Sequence, residues 1–345
     1  MTAPPARVTA RRVLALPDKF RGTATAAEVA VAIAQAAAAH GCSSVSVPIA
    51  DGGEGFLSCF GGANRSTWVA GPLGEPVLAG WRLDGPRAVI ESAAASGFAL
   101  VAAANDPMLA STRGTGQLVA AAIRAGARTI VVGLGGSAST DGGWGAVDEL
   151  REFAPLDGSR GAGVLVATDV TTPFLDAARV FGPQKGANAS QVAELTERLQ
   201  QLADRYHAEF GVDLANAPGA GAAGGLAGGL AALGAVLRPG FDLVADEVRL
   251  SEHLAHADLV ITGEGRLDAT TFAGKAVGGV LRRCAETGTP AALIVGSIAA
   301  GTHLSVPAVS LVERFGQAAA WSQTLACVTE AAGTLLASRF PPGRP

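Results

Sequence analysis

Between Ile261 and Ala276 the chain reads ITGEGRLDATTFAGKA, which crowds Glu264, Arg266, Asp268 and Lys275 into a sequence that is only 16% charged. An arginine can grip a carboxylate or phosphate with two parallel N–H donors, and a lysine supplies a point charge. A carboxylate can ligate a hard cation or take a proton from a hydroxyl. The same mixture recurs as Asp18, Lys19 and Arg21 in LPDKFRG, Asp51 and Glu54 in ADGGEG, Asp141 in SASTDGG, Asp169 in VATDV and Lys185 in FGPQKGA. Anion clamps, carboxylates for Mg²⁺ and donor-lined glycine loops are the elements that phosphoryl transfer requires. Each residue alone also has an ordinary reading: Asp18 can open a turn, Asp141 can bond its own loop, and Lys185 can be a solvated lysine.

The elements that must position these residues are short apolar runs. RVLALP, SVSVPIA, RTIVVG, GVLVAT and ADLVIT each run into one of the charged turns, and PAALIVG follows the next helical stretch. Strands apolar throughout and alternating with helices predict an α/β fold with parallel sheets covered on both faces. In such sheets ligands bind outside the carboxyl ends of the strands, where the charges of this chain fall. Thr25 and Glu28 have the spacing of a capping box, and Gly41 marks the stop of the helix between them. From Trp68 to Glu91 the texture changes to Gly-Pro turns with period-2 stretches, which predicts antiparallel strands and a crossing into a second domain. We therefore expect a discontinuous Rossmann-like domain over 1–66 and 245–345, interrupted by a second α/β domain over 67–244.

Composition excludes several classes. At 345 residues the chain suits two domains. A net charge of −4, with no cluster of basic and aromatic residues, argues against nucleic acid. Cys42, Cys59, Cys284 and Cys327 show no CxxC spacing and read as small core residues. His253 and His256, three apart in LSEHLAHA, read as a solvated helix face. Met1–Arg12 lacks an apolar core, so no secretory signal is expected, and no run suits a membrane span. We expect a cytoplasmic protein, monomer or homodimer, that takes a small-molecule substrate.

Two glycine motifs invite a dinucleotide reading. Gly133–Ala138, GLGGSA, follows a strand and matches G-x-G-x-x-A, but no acidic strand end stands about 20 residues on. Gly219–Gly224, GAGAAG, follows no strand. A P-loop is absent, because Ala276 stands where Ser or Thr is needed.

Taken together, LPDKFRGTATAAEVA, PIADGGEG, AGPLGEPV, AVIESAAASG, STRGTGQL, GLGGSASTDGGWG, FGPQKGA, PGAGAAGGLAGGL and ADLVITGEGRLDATTFAGK resemble the bacterial glycerate kinases of the two-domain α/β type, in order and along nearly the whole chain. The resemblance implies ATP-dependent phosphorylation of D-glycerate with Mg²⁺, the 2-hydroxyl being favoured. Laid over the strand-end charges, it assigns catalytic roles to Asp18, Arg21, Asp141 and Arg266. Substrate contacts fall to Lys19, Arg21, Asp51, Glu54, Thr262, Glu264, Arg266 and Asp268. Nucleotide or phosphate contacts fall to Gly135, Gly136, Ser137, Ser139, Lys185 and Lys275, and metal ligation to Asp51, Asp141 and Asp169. Two departures stand out. Lys19 and Arg21 replace the Ser and Lys common in the family's PDSFKG, and the stretch from Trp144 to Phe181 is trimmed. The alternatives are a kinase of another small hydroxy acid, a weak or inactive paralogue, a non-catalytic metabolite binder, and an NAD(P)-dependent oxidoreductase using GLGGSA.

Overall fold

The computed structural model describes residues 11–101, 105–272 and 274–341. Of Met1–Arg12, read above as lacking a signal, residues 1–10 lie outside the described residues. The chain divides into two compact units, Met1–Ile49 with Ala245–Pro345, and Ala50–Val244. The first crossing therefore falls at 49/50, where the sequence reading set it at 66/67. The change of texture at Trp68 marks the first strand of the second unit. The turn Asp51–Gly55 already packs with that unit, because Gly135 donates its N–H to the Gly52 carbonyl at 3.1 Å.

The first unit holds a five-stranded sheet in the order Ala308–Ser310, Ala291–Val295, Leu259–Gly263, Arg12–Pro17, Ser43–Ser46, and every pair in it is parallel. Counted along the chain within this unit the order is 2-1-3-4-5, one of the two common doubly wound arrangements. It reverses between Arg12–Pro17 and Leu259–Gly263. The three central strands are buried almost throughout. This is why they read as unbroken apolar runs. Helix Ala26–Ala39 begins as its sequence predicts: Glu28 N–H donates to Thr25 Oγ1 at 3.2 Å and Thr25 N–H donates to Glu28 Oε2 at 2.8 Å. Val29, Ile33 and Ala37 on this helix join Val13, Ile261, Ile294, Val328 and Leu336 in one core.

The second unit is built on a six-stranded sheet of sequential order, Arg65–Ala70, Pro76–Asp84, Arg87–Glu91, Thr129–Gly133, Gly163–Ala167 and Val236–Arg238. The first two pairings are antiparallel, as the period-2 stretches imply, and the rest are parallel. Its core is separate and centres on Ile90, Leu118, Val132, Val166, Phe174, Leu199 and Tyr206. The trimmed stretch from Trp144 to Phe181 still supplies helix Trp144–Leu150, the Gly163–Ala167 strand and helix Ala177–Phe181. Cys42, Cys284 and Cys327 are buried free thiols and Cys59 is half-buried. His253 lies on helix Leu250–Leu254, and His256 follows it. Among the described residues no helix is long and apolar enough to cross a membrane.

Candidate functional site

In the first unit the charged residues gather where the strand order reverses. Asp18 donates its backbone N–H to the Gly263 carbonyl at 2.9 Å, so the turns that leave Arg12–Pro17 and Leu259–Gly263 start side by side. Glycine is required at this junction. A Cβ on Gly263 would overlap the Ile294 carbonyl oxygen, and one on Gly265 would sit 3.3 Å from the Arg21 nitrogen. The TGEG spacing thus lets three backbone segments close around one point, and it brings the turns of Arg21 and Arg266 together. Both guanidiniums are exposed, and among the described residues neither has a hydrogen-bond or ion-pair partner. Asp18 accepts from the Lys19 N–H at 2.7 Å, and Lys19 Nζ stands 3.8 Å from its Oδ1.

Glu264 is the buried member of this cluster, at 9% exposure. Its Oε1 accepts from Thr271 Oγ1 at 2.6 Å. Burial pushes the carboxyl up to about 7; the Thr271 bond and Lys275 oppose that rise, while Asp18 and Asp268 add to it. Asp268 turns to its own loop, where Thr270 N–H and Oγ1 donate to Oδ1 at 2.8 and 2.6 Å. These bonds hold the Asp268 carboxyl below its ordinary range. Lys275, assigned above to nucleotide or phosphate, donates Nζ to Thr270 Oγ1 at 2.6 Å and acts on the Glu264 carboxyl. Thr262 is corrected as well: its side chain is fully buried and donates to the Leu16 carbonyl at 2.6 Å, stapling two strands.

In the second unit Asp51 and Asp169 come together at the end of the Gly163–Ala167 strand. Asp169 Oδ1 accepts from the N–H groups of Gly240 at 3.0 Å and Phe241 at 3.4 Å, at the start of helix Gly240–Glu247. Its Oδ2 is buried without a partner among the described residues. Burial first, and then the Asp51 carboxylate, push the Asp169 carboxyl up to about 8, with Asp242 adding to the effect. A same-sign pair with an orphaned oxygen fits a divalent cation, because Mg²⁺ is held through one or two carboxylates and keeps its remaining positions for water and phosphate. Among the described residues no three His, Cys, Asp or Glu side chains gather as a closed cage. Glu54 is exposed on the same turn as Asp51.

Asp141 does not join the pair. Its Oδ2 accepts from Thr112 N–H and Thr112 Oγ1, both at 2.8 Å, from Gly145 N–H at 3.2 Å and from Ser111 Oγ at 3.4 Å. Its Oδ1 accepts from Gly143 N–H at 3.1 Å. With five donors the carboxylate is spent on fastening the starts of helices Arg113–Arg124 and Trp144–Leu150, so its metal and proton-transfer roles are withdrawn. The glycine-serine loop is closely packed. A Cβ on Gly135 would overlap Gly53 Cα, Gly136 takes a left-handed turn, and its carbonyl accepts from Phe98 N–H. Ser137 Oγ lies 3.1 Å from the fully buried Ser139 Oγ. These contacts use GLGGSA to pack the second unit. Lys185, for which a solvated role was available, is only 3% exposed and donates Nζ to the Ser139 carbonyl. Burial lowers its ammonium to about 8 against the pull of Asp141. It braces the loop.

Sequence reasoning missed Thr271, Thr112 and Asp242. The hydroxyls of DATTF were a usable signal for the first, since threonines just after a carboxylate turn tend to bond it. For the other two the partner is distant in sequence, and no local pattern announces it.

A pH dependence follows for Glu264. Between its unfolded value of 4.5 and its folded value of about 7, the native chain keeps a proton that the unfolded chain has lost. Stability therefore falls as pH rises through that window. Glu264→Gln should flatten this part of a Tm-against-pH curve; parallel curves for variant and parent would show that Glu264 holds no such proton.

A profile described as Glycerate kinase family matches residues 13–157 and 154–338. The chain is 39% identical over 325 residues to glycerate 2-kinase of Escherichia coli (strain K12), covering 83% of this chain and 85% of that protein. It is 38% identical over 325 residues to glycerate kinase of Bacillus subtilis (strain 168), with the same coverage of 83% and 85%. A crystal structure from Salmonella typhimurium LT2 bearing the name glycerate kinase 2 superposes with a TM-score of 0.80 at 32% identity, over 96% of this chain and 98% of that one. On profile, sequence and fold together, the chain belongs to the glycerate kinase family.

Proposed function

We propose that this chain transfers the terminal phosphoryl group of ATP to the 2-hydroxyl of D-glycerate. The carrying observation is the cluster at the reversal point of the first sheet, where a buried carboxyl, Glu264, feels Lys275 and shares its turns with the exposed Arg21 and Arg266. Glycerate pairs a carboxylate with vicinal hydroxyls, and the cluster offers a counterpart to each. Arg266, with Arg21 and Lys19, binds the carboxylate. Arg266 does so as a planar fork whose donors meet two oxygens at once. Glu264 accepts the hydroxyl proton as the oxygen attacks phosphorus, and a carboxyl poised near neutrality suits that task. Thr271 holds the Glu264 oxygen in place through its 2.6 Å bond. The names of relatives support the acceptor, and the relative named glycerate 2-kinase supports the position of transfer.

Asp51 and Asp169 are assigned to Mg²⁺ in the second unit. When bound there, the cation supplies positive charge to phosphate oxygens. The chain contributes the pair of carboxylates and the helix start that fixes Asp169.

Incubation with Mg-ATP should release ADP with D-glycerate and not without an acceptor, and phosphorus NMR should place the phosphate on the 2-oxygen. A 3-phosphate product would overturn the regiochemistry, and no turnover with either enantiomer would overturn the acceptor. Arg266→Ala should raise KM for glycerate about 10–100-fold, the worth of a charged bidentate contact, and leave KM for ATP within about twofold. Equal effects on both constants would reject the clamp. Mg²⁺ alone should raise the Tm of the parent chain, and Asp169→Asn should abolish that rise. A variant that still responds would put the cation elsewhere.

A further inference from the structure

The second unit contains a cavity of about 360 Å³ that the roles assigned above leave unused. It lies between the Pro107–Ala110 stretch, the end of the Ser137–Asp141 loop and one face of helix Ala189–Phe210. Met108, Trp144, Leu195 and Leu202 supply apolar walls. Thr140 and Gln201 supply hydrogen-bonding groups. Thr140 is 2% exposed, and its Oγ1 is buried with no partner among the described residues. A buried hydroxyl left unmatched is costly, and this one belongs to a residue of the cavity wall, where a small turn of the side chain brings it to a ligand atom.

The charges around the cavity narrow the ligand. Arg198 donates to Glu194 at 2.6 Å and to the Met108 carbonyl at 3.0 Å. Arg205 donates to Glu209 at 2.6 Å and lies over the Trp144 ring, 3.9 Å from its centroid. Asp141 is occupied by its five donors. The cationic and anionic groups here are already matched, so the cavity does not call for an ion. It calls for an uncharged, flat group with apolar faces and a hydrogen-bonding edge. Stacked guanidinium and indole planes bind heteroaromatic rings in this way. The volume lies near the lower end of small-molecule sites, about 300–1,000 Å³, which suits a ring system and not a whole nucleotide.

We infer that this cavity receives the purine base of the phosphoryl donor, with Thr140 and Gln201 reading the base edge. This rests on the ATP-dependent reading above, which leaves the base without a site. A second cavity, of about 280 Å³ and lined by Ala27, Glu28, Val31, Ala32, Gln35 and Leu325, has no aromatic wall and none of the unmatched buried polar atoms found among the described residues.

Two measurements test the inference. Photolabelling of the parent chain with 8-azido-ADP, followed by peptide mapping, should place the label within 105–110, 140–144 or 195–205, and excess ADP should suppress it. Thr140→Val, which keeps the side-chain shape, combined with Gln201→Leu should raise KM for ATP at least about tenfold and narrow the preference for ATP over UTP. KM for glycerate should stay within about twofold. Label confined to other peptides in a chain that turns over would overturn the base site and leave the ATP reading standing. A folded double variant with unchanged KM for ATP would do the same. A parent chain that neither binds ADP nor turns over would overturn the ATP reading together with the site. If the double variant fails to fold, the map on the parent chain decides.

Discussion

A carboxyl largely removed from water either keeps its proton or finds a cation. This chain imposes that choice at Glu264, in the turn after a central strand, and again at Asp169, two residues beyond another strand. Much of the surrounding architecture serves to maintain it. Parallel strands need apolar faces on both sides, so polarity is pushed to their carboxyl ends. Glycines there let backbones approach closely enough to exclude water. The helix start at Gly240 and the hydroxyl of Thr271 then fix one oxygen of each carboxyl. Fixing the oxygen without neutralising it keeps both groups responsive to a proton, a cation or a substrate.

Asp141 shows the opposite solution. The same residue type, in the same kind of turn, is given enough donors to be fully at home as an anion. Lys185 is its cationic counterpart, buried beside it and bound to a carbonyl. Together they make the loop between Gly135 and Asp141 a rigid part of the second core. The cavity next to it therefore has one wall that is held and not merely packed.

The alternation of strands and helices, the capping box at Thr25 and the antiparallel start of the second sheet were legible because each is written in local periodicity or spacing. The convergence of Asp18, Arg21, Glu264 and Arg266 was legible for a different reason: parallel sheets put strand-end turns on one edge. What could not be read was the accounting of individual donors. Nothing local to GSASTDGG reveals that Thr112, 29 residues earlier, claims its carboxylate. The same holds for Thr262, whose hydroxyl reaches a carbonyl 246 residues away. Lys185 was assigned to a phosphate, with a solvated lysine as the ordinary reading, yet its surroundings come from other parts of the fold. The crossing at 49/50 was missed because the turn after Ile49 carries no change of composition. It joins the second unit through contacts such as the Gly135–Gly52 backbone bond.

The discontinuity of the first unit has a consequence for the order in which the chain is made. The strand Arg12–Pro17 takes one neighbour from Ser43–Ser46 and the other from Leu259–Gly263. The second neighbour is synthesised 246 residues later. At bacterial-to-eukaryotic elongation speeds of about 5–20 residues per second, that is a wait of roughly 10–50 s. All of the second unit emerges within that interval and has its sequential sheet complete. During translation the earliest strand is thus part of an unfinished sheet, with an apolar edge to be kept from other chains, while the segment born after it holds every strand of its own sheet.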